Sequence, residues 1–222
     1  MVHKKTNKLT ATRQLVVFML AFFAVDLLRL FCQRATLFAP FTTDRLFIWV
    51  VPTLLFIFFV LKQNPFDYLK LKKNVMRGVT TGLAVSAVQA ILHCSYYYMS
   101  HGGSLAINLN LGFAAWWNVI LTAGVVEEVV FRGLIFQYLN RMFSFITAAA
   151  VSSVLFALAH IPYWIASGAL FTKPMLYIVY DFIFIFFIGF LWAFLLKKTG
   201  SLWSNIIHHT ANNFLAGTMS NW

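Results

Sequence analysis

Long apolar stretches separated by short polar or basic breaks run through the whole chain. A helix needs about 20 predominantly apolar residues to cross the hydrocarbon core of a bilayer. The pattern therefore predicts an all-α protein, a polytopic membrane helical bundle with about seven transmembrane helices. The predicted spans are residues 14–38, 46–61, 78–99, 114–139, 145–161, 175–196 and 202–215.

Composition agrees with this architecture. Hydrophobic residues make up 61% of the chain, charged residues make up 10%, and the mean hydropathy is +0.78. The net charge of +11 does not indicate a nucleic-acid partner, because the basic residues flank the apolar spans. The expected partner is instead the lipid bilayer. No linker, repeat or soluble domain interrupts the pattern, so we expect residues 1–222 to form a single integral membrane domain.

The placement of Lys and Arg predicts the orientation. Twelve of them fall on one side of the predicted spans, and only Arg45 and Lys173 fall on the other. Because positively charged loops stay in the cytoplasm, this asymmetry predicts a multi-pass protein of the cell membrane with a cytoplasmic N-terminus.

The two glutamates of the chain, Glu127 and Glu128, are neighbours within an apolar stretch. An ionisable group at the centre of a membrane helix costs about 2.5–3.5 kcal/mol on insertion scales, so such a cluster indicates a functional site. The alternative is a structural ion pair that locks two helices together. Arg132 lies one turn after Glu128 and should hold it ionised. Glu127 points about 100° away, so we expect it to be available as a general base.

Two further polar groups lie in later spans. Phe156 and His160 share one helix face, and the last span carries Asn205, His208, His209, Asn212 and Asn213. At 1.5 Å per residue, the glutamates and these polar groups lie roughly 14–23 Å from the cytoplasmic ends of their helices. They can therefore meet in one layer. The pairs His208/Asn212 and His209/Asn213 have the same spacing, so spacing alone does not choose between them.

The residue types suit hydrolysis of an amide bond. A glutamate and a histidine can share a water molecule and deprotonate it. A second histidine and an asparagine can donate hydrogen bonds to the oxyanion of a tetrahedral intermediate. The same groups could also form a zinc site with an open position, with Glu127, His160 and His209 as ligands, although no H-E-x-x-H motif is present.

The motifs E-E-x-x-x-R, F-x-x-x-H and H-x-x-x-N lie in this order on three predicted helices. Together they resemble the CAAX protease and bacteriocin-processing family (CPBP or Abi), which includes the type II CAAX prenyl endopeptidases. The family-like catalytic core covers about residues 114–218. The resemblance implies an intramembrane endopeptidase that acts on membrane-associated peptides or proteins. In bacteria it implies a role in bacteriocin immunity or in peptide maturation.

The resemblance also assigns roles to residues. Glu127 and His160 would activate the water, and His209 and Asn213 would form the oxyanion hole. His209/Asn213 is chosen over the neighbouring pair because the family's histidine follows Ser-Leu-Trp at about this spacing. The residues expected to support the site are Glu128, Arg132 and Phe156, with the first two supporting Glu127. No cofactor is expected, and zinc is the possible exception.

Two other functions are compatible with the sequence. A non-enzymatic membrane protein could bind a peptide or a regulatory partner in the same cavity. An ion or proton carrier could use Asp26, Asp181 and the glutamates as a relay. Asp26 and Arg29 are three residues apart and can also form a structural pair.

Overall fold

The computed structural model describes residues 2–34 and 45–219. This part of the chain is 83% helical and contains no β-strand, which confirms the predicted all-α class. In chain order its helices are α1 (Val2–Arg34), α2 (Leu46–Val60), α3 (Pro65–Tyr68), α4 (Val75–Ser100), α5 (residues 112–140), α6 (Phe145–Leu158), α7 (Ile161–Ala166), α8 (Ala169–Thr172), α9 (Met175–Thr199) and α10 (Trp203–Met219).

By length and composition, four helices of the described residues can cross a membrane: Thr12–Cys32, Val75–Ser100, Phe145–Ala166 and Met175–Thr199. The apolar helix α2 is shorter. The predicted count of about seven spans is therefore not confirmed. The predicted end of the first span at Phe38 lies outside the described residues.

The outer faces of these helices are strongly apolar. Large hydrophobic side chains that are more than 60% exposed occur on α1, α4 and α9, for example Leu20, Ile91, Leu92 and Leu176. A soluble protein rarely exposes apolar surface on this scale, whereas a membrane protein presents it to lipid. The chain is a multi-pass membrane protein.

Helix α5 lies at the centre of the bundle, and all of its residues from 126 to 138 are buried. It packs against α2, α6, α9 and α10. Two of its segments, Ala115–Thr122 and Val129–Phe136, are wound as π-helix. A π-turn is wider than an α-turn, so the residues after Glu128 do not follow the 3.6-residue periodicity assumed from the sequence.

Helix α10 is held between α4 and α5 by close contacts at glycines. A Cβ atom at Gly82 of α4 would lie 2.9 Å from the Ser204 carbonyl oxygen. A Cβ atom at Gly124 of α5 would lie 2.5 Å from the Thr210 Oγ1 atom. Small residues let membrane helices approach closely. These contacts bring the polar residues of α10 next to the glutamates of α5.

Candidate active site

A cavity of about 600 Å³ lies where α1, α2, α5, α6 and α10 meet. All four residues predicted to be catalytic line it: Glu127, His160, His209 and Asn213. Phe156 lines it as well. The tertiary structure thus brings the three motifs, which are far apart in the chain, around one space. Glu128 and Arg132 lie behind this space and are fully buried.

Glu127 lines the cavity but has a strong ionic partner. Arg45, at the start of α2, donates a hydrogen bond of 2.6 Å from Nη2 to Glu127 Oε1. The guanidinium of Arg45 also lies over the ring of Trp49, 4.3 Å from its centroid. The sequence predicted that Glu127 would be available as a general base, and it did not predict this ion pair with Arg45. No sequence signal linked Arg45 to Glu127, because the residues are 82 positions apart.

Glu128 is fully buried and holds three groups from two helices. Its Oε1 atom accepts from Arg132 Nη1 at 3.3 Å, as the i,i+4 spacing predicted. Its other oxygen accepts from Asn205 Nδ2 at 3.1 Å. The Nδ1 atom of His209 lies 3.0 Å from Oε1. Glu128 therefore orients His209, whereas the resemblance had implied support for the first glutamate.

His209 lies between the two carboxylates. Because a carboxylate accepts hydrogen bonds only, the Nδ1 atom next to Glu128 carries a proton. The Nε2 atom faces Glu127 Oε2 at 3.6 Å. The imidazole ring stacks on Trp192, with ring centroids 4.0 Å apart and planes 18° apart. Stacking and hydrogen bonding together fix the ring plane and direct Nε2 towards the cavity side of the site.

His160 lies where α6 gives way to α7, just before Pro162. Its Nδ1 atom lies 2.9 Å from the Phe156 carbonyl oxygen. A carbonyl oxygen only accepts, so Nδ1 donates its proton there. In the neutral ring this leaves the lone pair on Nε2, which is the form a general base requires. The Phe156 ring also packs edge-on against His160, with centroids 4.9 Å apart.

Of the two histidine–asparagine pairs on α10, only His209 and Asn213 line the cavity. Asn213 donates one amide hydrogen to the Val119 carbonyl oxygen at 2.8 Å. An amide nitrogen carries two hydrogens, so a second donor remains. His208 instead accepts from the Trp192 indole nitrogen at 2.8 Å. Asn212 accepts from Gln89 on α4 at 2.7 Å.

Arg132 is enclosed by aromatic rings. Its guanidinium carbon lies 4.1 Å from the Phe156 ring centroid and 4.8 Å from that of Trp192. Such cation–π contacts are strongest where water is excluded. Gly189 of α9 leaves the necessary room, since a Cβ atom there would lie 2.5 Å from Arg132 Nη2. The sequence motif did not identify Trp192 or Gly189.

The first half of the chain forms the opposite wall of the cavity. Asp26 accepts hydrogen bonds of 2.9 Å from both Arg29 Nε and Trp49 Nε1. The predicted pair of Asp26 and Arg29 is thus present, and both side chains line the cavity. Asp181 does not line it. The relay proposed from Asp26, Asp181 and the glutamates is therefore not assembled around this cavity.

The three residues of the conditional zinc site, Glu127, His160 and His209, all line the cavity. Across residues 2–34 and 45–219, no group of three or more His, Cys, Asp or Glu side chains is arranged to hold a metal ion. Glu127 instead pairs with Arg45, and His160 Nδ1 is used by the backbone.

The segment that supplies most of these cavity residues matches a known protein family. Residues 108–215 match the Rce1-like family. Its members are described as type II CAAX prenyl endopeptidase Rce1-like. The match confirms the resemblance drawn from the three motifs and points to a CAAX protease-type peptidase. No curated protein and no solved structure matches the chain significantly. Arg45, Trp49 and Asp26 lie outside the Rce1-like segment.

Proposed function

We propose that the protein is an intramembrane endopeptidase that hydrolyses peptide bonds of membrane-associated peptides or proteins. The observation that carries the proposal is the single cavity lined by Glu127, His160, His209 and Asn213. It combines two groups able to accept a proton with two groups able to donate hydrogen bonds. The match to the Rce1-like family supports the same reaction class.

In the proposed first step, a water molecule lies between Glu127 and His160. Glu127 takes one proton from the water while His160 Nε2 accepts a hydrogen bond from it. The oxygen forms a bond to the carbonyl carbon of the substrate, and the carbonyl oxygen becomes an oxyanion. Glu127 can hold Arg45 and water at once, because two carboxylate oxygens offer about four acceptor sites.

The oxyanion would be stabilised from α10. Asn213 offers its second amide hydrogen, and His209 offers Nε2–H when both of its ring nitrogens carry protons. Preorganised donors of this kind contribute about 2.7–4 kcal/mol each to stabilising a transition state. The intermediate then collapses as the carbon–nitrogen bond breaks. The leaving amine takes the proton held by Glu127, which regenerates the carboxylate.

The charged residues around the cavity would preorganise these groups. Arg45 fixes one oxygen of Glu127, so the other oxygen keeps a constant direction. Glu128 fixes His209 through Nδ1, in the manner of a carboxylate that orients a catalytic histidine. In this proposal the functional unit includes α1 and α2, although they lie outside the Rce1-like segment.

The proposed topology has about seven crossings, a cytoplasmic N-terminus and cleavage near the cytoplasmic side of a cell membrane. The positive charge of the loops supports this orientation. Bacteriocin immunity and peptide maturation are the proposed biological settings.

We propose that water is activated without a metal ion. The test is cleavage of a membrane-peptide library by purified protein in nanodiscs, with wild type and Glu127→Ala compared in the presence and absence of a strong chelator. Cleavage that needs Glu127 and is insensitive to the chelator is the expected result. Loss with the chelator and recovery with zinc would contradict the metal-free mechanism.

A second comparison separates catalysis from binding. A cell phenotype that is lost on deletion but kept by Glu127→Gln would favour the non-enzymatic alternative, a peptide-binding or regulatory protein that uses the same cavity. The peptidase proposal expects Glu127→Gln to have the phenotype of the deletion.

A further inference from the structure

Eight basic side chains gather at one end of the helix bundle. They come from the loop between α2 and α4, from the start of α4, and from the ends of α5 and α9: Lys62, Lys70, Lys72, Lys73, Arg77, Arg141, Lys197 and Lys198. We refer to these eight residues as the basic end. Asp67 is the one acidic residue between positions 62 and 77.

The loop of the basic end is fixed firmly to the helices. Gln137 of α5 donates to the Tyr68 carbonyl oxygen at 2.8 Å, and Trp203 of α10 donates to the Leu71 carbonyl oxygen at 2.9 Å. Asn74 donates to the Thr199 carbonyl oxygen at the end of α9 at 3.0 Å. The cations are therefore presented by a rigid surface that joins several helices.

Aromatic rings hold some of these cations at the level of the helix ends. Arg141 lies 4.4 Å from the ring centroid of Tyr68, and Lys197 lies 4.1 Å from that of Phe145. Cations and aromatic rings together are typical of the boundary between hydrocarbon and headgroups. The loop lies between two apolar helices, α2 and α4, which also places it at this boundary.

Two lysines of the loop adopt a costly backbone conformation. Lys62 has φ of 55° and Lys70 has φ of 56°. This left-handed region strains residues that carry a Cβ atom, whereas glycine adopts it readily. At both positions the chain carries a long cation where glycine would relieve the strain. The backbone gains nothing from these lysines, so their charge is the property that can be useful.

The basic end also lacks internal charge compensation. In the part of the chain that the structure describes, no carboxylate lies within ion-pair distance of any of the eight cations. Burial, with Arg141 and Lys73 nearby, lowers the pKa of Lys70. An anion between these cations would remove the repulsion.

We propose that the basic end is a docking surface for anionic phospholipid headgroups, with a phosphodiester held between the loop lysines and Arg141. A topology signal needs only positive charge somewhere in the loop. That need does not account for the rigid loop or for the strained lysines. It also does not account for the lack of carboxylate partners among residues 2–34 and 45–219. Juxtamembrane clusters of four to eight basic residues are suited to binding anionic lipids. The proposal does not depend on peptidase activity.

The experiment uses delipidated full-length protein in detergent micelles. Phosphatidylglycerol or phosphatidylcholine is added, bound lipid is counted by native mass spectrometry, and the melting temperature is measured without added lipid. Wild type should retain phosphatidylglycerol preferentially. The double variant Lys62→Gly/Lys70→Gly should lose affinity about fivefold per cation removed, while its melting temperature stays the same or rises because strain is relieved.

Two control variants complete the test. Lys62→Arg/Lys70→Arg keeps both charges and should keep the lipid preference. Lys72→Gln/Lys73→Gln changes exposed lysines at ordinary backbone angles and should lose affinity without any gain in melting temperature, so it also serves if the glycine variant does not fold. Equal retention of the two lipids by wild type would overturn the proposal. The proposal would also be overturned if both charge-removing variants bound phosphatidylglycerol as wild type does. It would be overturned as well if inorganic phosphate displaced bound phosphatidylglycerol as effectively as phosphatidylglycerol itself does.

Discussion

Arg45 and Glu127 are 82 positions apart, yet their side chains form a 2.6 Å ion pair at the edge of the candidate catalytic cavity. Glu127 belongs to the segment that matches the Rce1-like family, and Arg45 lies outside it. The ring of Trp49 packs against the guanidinium of Arg45, and the Trp49 indole nitrogen donates a hydrogen bond to Asp26. The charge environment of the first glutamate is thus completed by a part of the chain that carries no family motif.

Replacing Arg45 tests this relationship. Arg45→Met should lower kcat/KM about tenfold to a hundredfold, because a charge-assisted hydrogen bond contributes about 1.5–3 kcal/mol and Glu127 is then free to turn towards His209. Arg45→Lys should fall between this variant and wild type, since it keeps the charge but loses the planar fork and the stacking on Trp49. Steady-state cleavage in nanodiscs is the measurement.

Lys173→Gln is a suitable control for the arginine variants, since it removes an exposed cation that does not line the cavity. It should leave kcat/KM unchanged. If Arg45→Met also retained wild-type kcat/KM, the ion pair would have no role in positioning Glu127.

Replacing Glu128 should mainly lower the melting temperature, whereas replacing Glu127 should mainly abolish cleavage. Glu128→Gln leaves the fully buried Arg132 without its carboxylate, which costs about 3–5 kcal/mol. The melting temperature in micelles should fall by roughly 10 °C. Glu127→Gln should abolish cleavage with a much smaller change in melting temperature, because Glu127 faces the cavity. Equal melting temperatures for the two variants would contradict the different environments described for them.

A glycine pair tests the packing around Arg132. Gly189→Ala places a methyl group 2.5 Å from Arg132 Nη2 and should destabilise the protein by about 1–3 kcal/mol. Gly217→Ala is the matched control, because its Cβ atom would have only an ordinary contact of 3.7 Å with Leu111. It should be neutral or stabilise by up to about 1 kcal/mol. Thermal unfolding in the same detergent compares the two, and an equal effect of both would argue against steric control at Gly189.

Adjacent histidines on α10 should behave differently. His208→Phe removes the acceptor of the Trp192 indole N–H and should cost about 1–3 kcal/mol of stability. Its cleavage rate per folded molecule should stay close to that of wild type. His209→Phe should abolish cleavage, because His209 lines the cavity between both glutamates. Loss of cleavage in a well-folded His208→Phe protein would reverse this assignment.

The motif positions in the sequence predicted much of the site. Each of the four residues expected to be catalytic carries a polar group in a segment where lipid penalises it. Polarity alone did not separate His209/Asn213 from His208/Asn212, and the resemblance to the family made that choice. The i,i+4 spacing also predicted the contact between Glu128 and Arg132, since both lie on one helix. The number of spans was harder to predict. Polar residues occur both at the ends of membrane helices and inside helices that other helices enclose, so their positions do not show where a span begins or ends.

Local spacing and composition determined the all-α class and the membrane setting, and the three motifs determined the resemblance that selected Glu127, His160, His209 and Asn213. The hydrogen-bond partners across helices were decided only by the tertiary structure: Arg45 with Glu127, His209 with Glu128, and Trp192 with His208. Periodicity relates residues within one helix, whereas these contacts join different helices. They depend on how closely the helices approach, and that is set by packing at glycines such as Gly82 and Gly124.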